Sequence, residues 1–425
     1  MAADDLNIYG EFLEIKPYTN PRHVDELYRA YKKVISTQKC DDITMPNKID
    51  LSGDFYQQLE NVQNVIRLTR EQVQAVTNLY VDLEMVLRKE WPGCVAIPFG
   101  SIPTGLGIKS SDADCYVELP GAAAQRARVA GGFVPRARRL LARYPAVFTH
   151  LVAIPRANTP IVKFRHVPSG FHCDVSAKTP LGAQNSKLIK LLIEHDPRLA
   201  PVAVLLKYWA KVHELSGTGR LTNYALTMMV IFYLQQPAVA LVPSVERLQR
   251  DAATRYIVDH WNAGFSTRNL PGPPNSIAIP DLLGRFFEFY AGFDFERLIV
   301  CPYLGTAVLK SAFESPHTLP PEFARYASNV RDNLAGPLRH ATPFCVQDPF
   351  EQSHNVASAV CVKLAAEIMA YLKFAAEAYA ADRVNGCRNF LRTILLTRPK
   401  LRIERVTPST NIALIPRVRG YITDP

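Results

Sequence analysis

Asp112, Asp114 and Asp174 are the side chains of this 425-residue sequence best spaced to do chemistry. The run Asp112-Ala-Asp-Cys-Tyr-Val-Glu-Leu119 reads as a strand, in which successive side chains face opposite sides. Asp112 and Asp114 then share one face, while Ala113, Cys115, Val117 and Leu119 turn to the core. In Phe171-His-Cys-Asp-Val-Ser176 the residues Phe171, Cys173 and Val175 point inward and Asp174 points out. If the two strands are neighbours, three carboxylates meet on one patch. Carboxylates that close repel one another, and a hard divalent cation is the usual compensation. Mg²⁺ or Mn²⁺ held in this way calls for a phosphate-bearing substrate. The loop Phe99-Gly-Ser-Ile-Pro-Thr-Gly-Leu-Gly107 fits the same chemistry. Its glycines let backbone approach a phosphate, with N–H groups at Gly100 and the Ser101 hydroxyl as donors.

Other elements must supply countercharge and position. Over 199–213 the pattern is helical. Lys207 and Lys211 stack one turn apart, and Val202, Leu205, Leu206 and Trp209 line the more apolar side. Spacing alone describes a solvated lysine pair as well as a polyphosphate site. Tyr224 opens a further helix, with Asn223 as its expected N-cap; Asn185 reads as a helix cap. Residues 20–90 read as helices, including Val24–Val34 and a run with Val73, Val76, Leu79 and Tyr80 on one face. Residues 94–180 switch to short strands, interrupted at 121–144 by an Ala/Arg-rich helical insertion. It carries Arg126, Arg128, Arg136, Arg138, Arg139 and Arg143 and no acidic residue. From 185 to about 398 the chain is mostly helical, broken by Pro-rich loops at 271–280 and 315–321. The end, 399–425, reads as a tail with a short strand near Leu401–Val406.

Composition bounds the partners. A net charge of +10 suits a polyanion. Eight cysteines without CxxC or Cys/His finger spacing argue against a zinc module and fit a reducing compartment. No apolar run approaches the ~18 residues of a membrane span. A soluble, intracellular, cytoplasmic monomer that does not engage membranes is the expectation.

The run Phe99-Gly-Ser-Ile-Pro-Thr-Gly-Leu-Gly-Ile-Lys-Ser-Ser-Asp-Ala-Asp114 resembles the nucleotidyltransferase motif of template-independent RNA terminal transferases. These are the poly(A) and poly(U) polymerases of the DNA polymerase β superfamily. Leu206-Lys-Tyr-Trp-Ala-Lys211, Leu221-Thr-Asn-Tyr-Ala-Leu226, Leu282–Tyr290 and Gln347-Asp-Pro-Phe-Glu-Gln-Ser-His-Asn355 resemble the same family in its order and approximate spacing. The resemblance runs from about residue 55 to about 380. It implies an α+β, bilobal molecule with a central cleft: a mixed-sheet catalytic domain (61–184) beside a helical domain (185–398). Residues 1–60 would be a helical segment packed on the latter. A poly(A)-polymerase-associated segment would occupy about 281–346, and a nucleotide-selecting loop 347–355.

The resemblance also implies roles. Asp112 and Asp114 would bind two metal ions; Asp174 would bind the hydroxyl-side ion and accept the proton. Ser101, Lys207 and Lys211 would contact the triphosphate. Tyr224 would stack on the base, which is worth roughly 1–3 kcal/mol without choosing among bases. Asn185 would bind the sugar. Asn223 stands where the family commonly has serine. His354 matches a histidine of UTP-preferring members: an imidazole filling the pocket leaves room for a pyrimidine and hinders a purine. Asp348 and Glu351 would orient it. The implied reaction is addition of UMP from UTP to a single-stranded RNA 3′ end. Use of ATP is the main alternative, and a non-catalytic RNA-binding scaffold is the alternative of another class. With no RNA-recognition, KH or zinc-finger pattern, weak and salt-sensitive RNA binding is expected unless a protein partner directs the RNA. The basic insertion and Arg383, Arg388, Arg392 and Arg398 are the candidate backbone contacts.

Overall fold

The computed structural model describes residues 43–121, 132–267, 270 and 275–399. The expected helix at 24–34, Arg126 and Arg128, part of the 271–280 loop and the 401–406 strand lie outside the described residues. Helix α1 (Phe55–Ile66) starts at a capping box between Asp54 and Gln57, and α2 (Arg70–Leu87) at one between Thr69 and Gln72. Each box satisfies two N–H groups that a helix start would otherwise leave unpaired. Val73, Val76, Leu79 and Tyr80 form the buried stripe of α2.

Strands β1 (Val95–Phe99) and β2 (Ala113–Glu118) follow, then α3 (Phe133–Leu141), β3 (Phe148–Ile154), β4 (Ile161–His166) and β5 (His172–Ser176). They form one mixed sheet in the order β1-β2-β5-β4-β3. All its pairings are antiparallel except β2 with β5. The arginines of α3 are partly engaged: Arg136 pairs with Glu90 and lies over the Trp91 ring. A buried chain of hydrogen bonds, Ser169–His166–Asp82, fastens β4 to α2.

Beyond the sheet come α4 (Leu181–Glu194), α5 (Leu199–Val212), α6 (Asn223–Leu234) and α7 (Val245–Arg250). A hairpin of β6 (Ile257–Val258) and β7 (Trp261–Asn262) precedes α8 (Ile279–Ala291). A second hairpin, β8 (Leu298–Ile299) with β9 (Val308–Leu309), leads to α9 (Ala324–Arg331), α10 (Val362–Asp382) and α11 (Phe390–Leu396). Two hydrophobic cores result. One joins α2 and α3 to the sheet; the other joins α1 to the helices from α4 onward. In the second, Trp209 packs edge-on against Phe287 at 4.9 Å. Gly284 lets α8 and α10 touch, because a Cβ there would lie 2.1 Å from the Tyr379 ring. The molecule is thus α+β with a mixed sheet. Among the described residues no helix is long and apolar enough to cross a membrane.

Candidate active site

The parallel pairing of β2 with β5 puts Asp114 directly opposite Asp174. Ala113, Cys115, Cys173 and Val175 are buried on the other face, as period-2 alternation requires. Asp112 stands exposed just before β2. Gly100, at φ +85°, turns the chain over Asp114; a Cβ there would lie 2.3 Å from Asp114 Oδ2. Its N–H does not point to a free phosphate position, as the Gly-rich loop suggested, but donates to Ser186 Oγ on α4 at 2.8 Å. Burial, with Asp174 and Asp112 alongside, pushes the Asp114 carboxyl up to about 8. Burial also raises Asp174, opposed by Lys163 on β4, whose Nζ donates to Asp174 Oδ2 at 2.6 Å.

Among the described residues no three His, Cys, Asp or Glu side chains are gathered tightly enough to chelate an ion as they stand. Lys163 draws Asp174 toward β4, and Asp114 leans on Gly100. The donor set nevertheless fits a hard divalent cation: crowded carboxylates, one of them pushed into the neutral range, beside an ammonium already supplying compensating charge. Lys163 was missed in the sequence. The alternation of Ile161-Val-Lys-Phe-Arg-His166 is its only signal, since it places Lys163 and Arg165 opposite the core face.

Lys207 and Lys211 meet the chain just after the Gly-rich turn. Lys207 Nζ donates to Leu106 O at 3.1 Å and Ser111 Oγ at 3.0 Å, and Lys211 Nζ to Ser110 O at 3.1 Å. Burial, then the charge of Lys211, pulls Lys207 down to about 7. The lysines therefore tie α5 to the loop that leads into β2. Ser101 lies within the turn, where its carbonyl accepts from Thr104 Oγ1 at 3.0 Å.

The other end of the site is organised by Asp348, which is 3% exposed. Its Oδ2 accepts from Tyr224 Oη at 2.8 Å and Asn185 Nδ2 at 3.2 Å. Its Oδ1 accepts the N–H groups of Phe350 at 2.8 Å and Glu351 at 2.9 Å. One carboxylate thus joins α6, α4 and the 347–355 loop. Asn185 is inside α4 rather than at its cap. Asn223 is the first residue of α6 and not its N-cap; Thr222 holds that place, with Oγ1 accepting from Ala225 N at 2.9 Å. The threonine hydroxyl also reaches Val356 O at 3.2 Å, which favours it over Asn223. His354 accepts Asp348 N at its carbonyl and donates its N–H to Glu351 O, so the loop closes on itself. Its ring is 45% exposed, with Nδ1 3.9 Å from Glu351 Oε2. Burial raises the Glu351 carboxyl, and the charge of His354 opposes it. Asn355 braces the loop from behind: Oδ1 accepts from Val346 N and Ala357 N, and Nδ2 donates to Arg339 O.

Comparison with known proteins gives this arrangement a lineage. A family model for the central palm domain of mitochondrial-like poly(A) RNA polymerases matches residues 55–194. One for Cid1 family poly(A) polymerases matches residues 279–354. Together they cover about half of the chain. A speckle targeted PIP5K1A-regulated poly(A) polymerase of Xenopus tropicalis is 25% identical over 87% of this chain and 49% of its own length. The chain spans half or less of the length of the first curated relatives it matches. The solved structure of mtPAP in complex with ATPγS shares the fold at a TM-score of 0.66 and 21% identity, over 90% of this chain and 78% of that one. The Cid1 poly(U) polymerase structure does so at 0.63 and 23%, over 77% and 93%. With its mixed sheet, paired aspartates and matched palm and polymerase-associated segments, the chain belongs to the poly(A)/poly(U) polymerase family.

Proposed function

We propose that the chain transfers a nucleotide from a nucleoside triphosphate to an RNA 3′ hydroxyl, with UTP preferred. The observation that carries this reading is the direct pairing of Asp114 with Asp174 across adjacent parallel strands. The attacking 3′ oxygen forms a bond to the α-phosphorus, the bond to the β-phosphate oxygen breaks, and pyrophosphate leaves. Asp112, Asp114 and Asp174 would hold two divalent cations, Mg²⁺ or Mn²⁺, which lower the pKa of the hydroxyl and neutralise the triphosphate. Asp174 accepts the hydroxyl proton at its carboxylate. Lys207 and Lys211 would add positive charge beside the triphosphate, and they hold the loop that leads from the Ser101 turn into β2. Tyr224 offers its ring to the base while its hydroxyl stays on Asp348. Asn185 stands next to the sugar, fixed by the same carboxylate. His354 narrows the base pocket for a pyrimidine, with Glu351 as the nearest acid.

A second reading, transfer of AMP, draws support from relatives that carry the name poly(A) polymerase. One experiment separates the two. The protein is incubated with single-stranded RNA and each NTP in turn, with Mg²⁺, beside an Asp174→Ala control. Extension with UTP, weak extension with CTP, and none in the control are expected. Extension chiefly with ATP would overturn the role given to His354. No extension with any NTP would overturn the transferase reading and leave an RNA-binding scaffold.

A further inference from the structure

Behind the nucleotide-selecting loop lies a cavity of about 580 Å³, in the size range of ligand sites. Phe350 and Gln352, from the loop of Asp348 and His354, form part of its wall. Arg250, Arg255 and Arg325 line it against Glu246, the single carboxylate among the described lining residues, which pairs with Arg250 at 3.4 Å. The amide of Gln352 is buried there, and its Oε1 meets no donor among the described residues.

A second cavity, of about 470 Å³, abuts α4, the helix that carries Asn185. Lys187 and Lys190 line it, with Glu194 as the only acidic residue of the wall among the described residues and 3.6 Å from Lys190. The ribbon around β6 and β7 stands between the two cavities. Its alternate residues face opposite sides: Arg255 and Asn262 line the first cavity, Tyr256 and Ala263 the second. Phe265 of the second cavity stacks on Phe350 of the first, with ring planes 16° apart. Tyr256 is 43% exposed at the edge of this ribbon.

The ribbon is a built wall. Asp259 and His260 both hold positive φ, +46° and +71°, in its two-residue turn. A two-residue hairpin turn of this kind needs positive φ at both central residues, and Asp and His accept it more readily than most side chains. Here Arg325 Nη1 and Asn329 Nδ2, both at 3.2 Å, donate to His260 O and fix the turn to α9. Among the described residues Arg255 and Lys187 meet no carboxylate at ion-pair distance. Two cation-lined grooves therefore flank an anchored ribbon that carries an exposed aromatic ring. Cationic grooves with aromatic platforms are the arrangement that takes single-stranded nucleic acid.

We infer that these grooves form a landing track for the RNA strand on the 5′ side of its reacting end, with phosphates on Arg255 and Lys187 and a base on Tyr256. This rests on the reading that RNA is the substrate. Both grooves share elements with the nucleotide site, the 347–355 loop on one side and α4 on the other. Bound RNA would thus press on the parts that hold Asp348 and Asn185.

The test measures binding directly. A labelled single-stranded RNA with a 3′-deoxy end is titrated, without NTP, into wild-type full chain, Arg255→Gln/Lys187→Gln and Tyr256→Ala over a range of salt. Arg325 is left intact because it fixes the ribbon. The double variant should bind more weakly, with a salt slope shallower by about 1.4, since each phosphate that a cation no longer neutralises takes about 0.7 from the slope. Tyr256→Ala should lose roughly 5- to 150-fold in affinity without a change of slope. Unfolding midpoints equal to wild type confirm that the fold is intact. Unchanged affinity and slope in both variants, or no RNA binding by wild type, would overturn the track. Transferase activity is scored separately on a dinucleotide primer. Its absence in wild type would count against the proposed reaction, and the binding result would still decide the track.

Discussion

Lys163 and Asp174 face each other across the β4–β5 ladder, with Nζ 2.6 Å from Oδ2. An ammonium therefore sits at the carboxylate patch where divalent cations would be held. It compensates charge there, and a divalent cation on Asp174 would compete with it. The pair is 44% and 22% exposed, so it contributes only about 0.5–1 kcal/mol. Lys163→Ala should lower stability by that amount in chelator and enlarge the stabilisation that Mg²⁺ confers. Thermal unfolding of both proteins, with and without Mg²⁺, measures it. An equal Mg²⁺ increment in the two would remove Lys163 from this role.

Asp114 makes metal-free stability depend on pH. Its carboxyl rises to about 8 in the fold, against about 3.9 when unfolded. Between those values the folded chain keeps a proton that the unfolded chain has released. Stability of the metal-free protein should then fall as pH rises through this window, by at most about 1.4 kcal/mol per pH unit, and level off above it. Asp114→Asn should flatten the slope. Mg²⁺ should bind more tightly as pH rises, because a ligand must be deprotonated. Urea unfolding in chelator across the window provides the check; parallel curves for wild type and Asp114→Asn would refute the shift.

The aspartates were legible because strand alternation and core-facing Cys115, Cys173 and Val175 fix where Asp114 and Asp174 point. Their neighbouring strands were a condition that only the β2–β5 pairing satisfied. The hub at Asp348 was not legible. Its partners Tyr224 and Asn185 lie 124 and 163 positions away, and no local pattern links such residues. The cap of α6 went to Thr222 because its hydroxyl serves Ala225 N and Val356 O together, a tertiary contact that propensity does not contain. Ser186 was missed for a similar reason: it takes the Gly100 N–H that the loop sequence by itself offers to phosphate.

Asp348→Ala should be costly twice over. The change strips partners from the Tyr224 hydroxyl, the Asn185 amide and two loop N–H groups. Leaving buried donors unpaired costs about 1–3 kcal/mol each where water does not replace the partner. A loss of about 3 kcal/mol or more in unfolding free energy is expected, with a rise in KM for NTP larger than the fall in kcat. Asp348→Asn keeps one acceptor oxygen and should lie between. If both variants bind nucleotide as wild type does, Asp348 does not position the pocket.

His354 carries the choice of base in the proposed reaction. Its backbone is locked by Asp348 and Glu351, while its ring is 45% exposed and therefore open to a ligand. A ring that fills space disfavours a purine more than it favours uracil, so truncation should act mainly by admitting ATP. His354→Ala should raise kcat/KM for ATP relative to UTP by about 10-fold or more, equivalent to about 1.4 kcal/mol of lost discrimination. His354→Asn, which restores part of the volume and a donor, should fall between. The fold should hold in both, because the ring makes no buried hydrogen bond among the described residues. Competition between labelled UTP and ATP on one RNA gives the ratio directly. An unchanged ratio would move selection away from His354, and Glu351, the acid nearest its ring, would be the next residue to substitute.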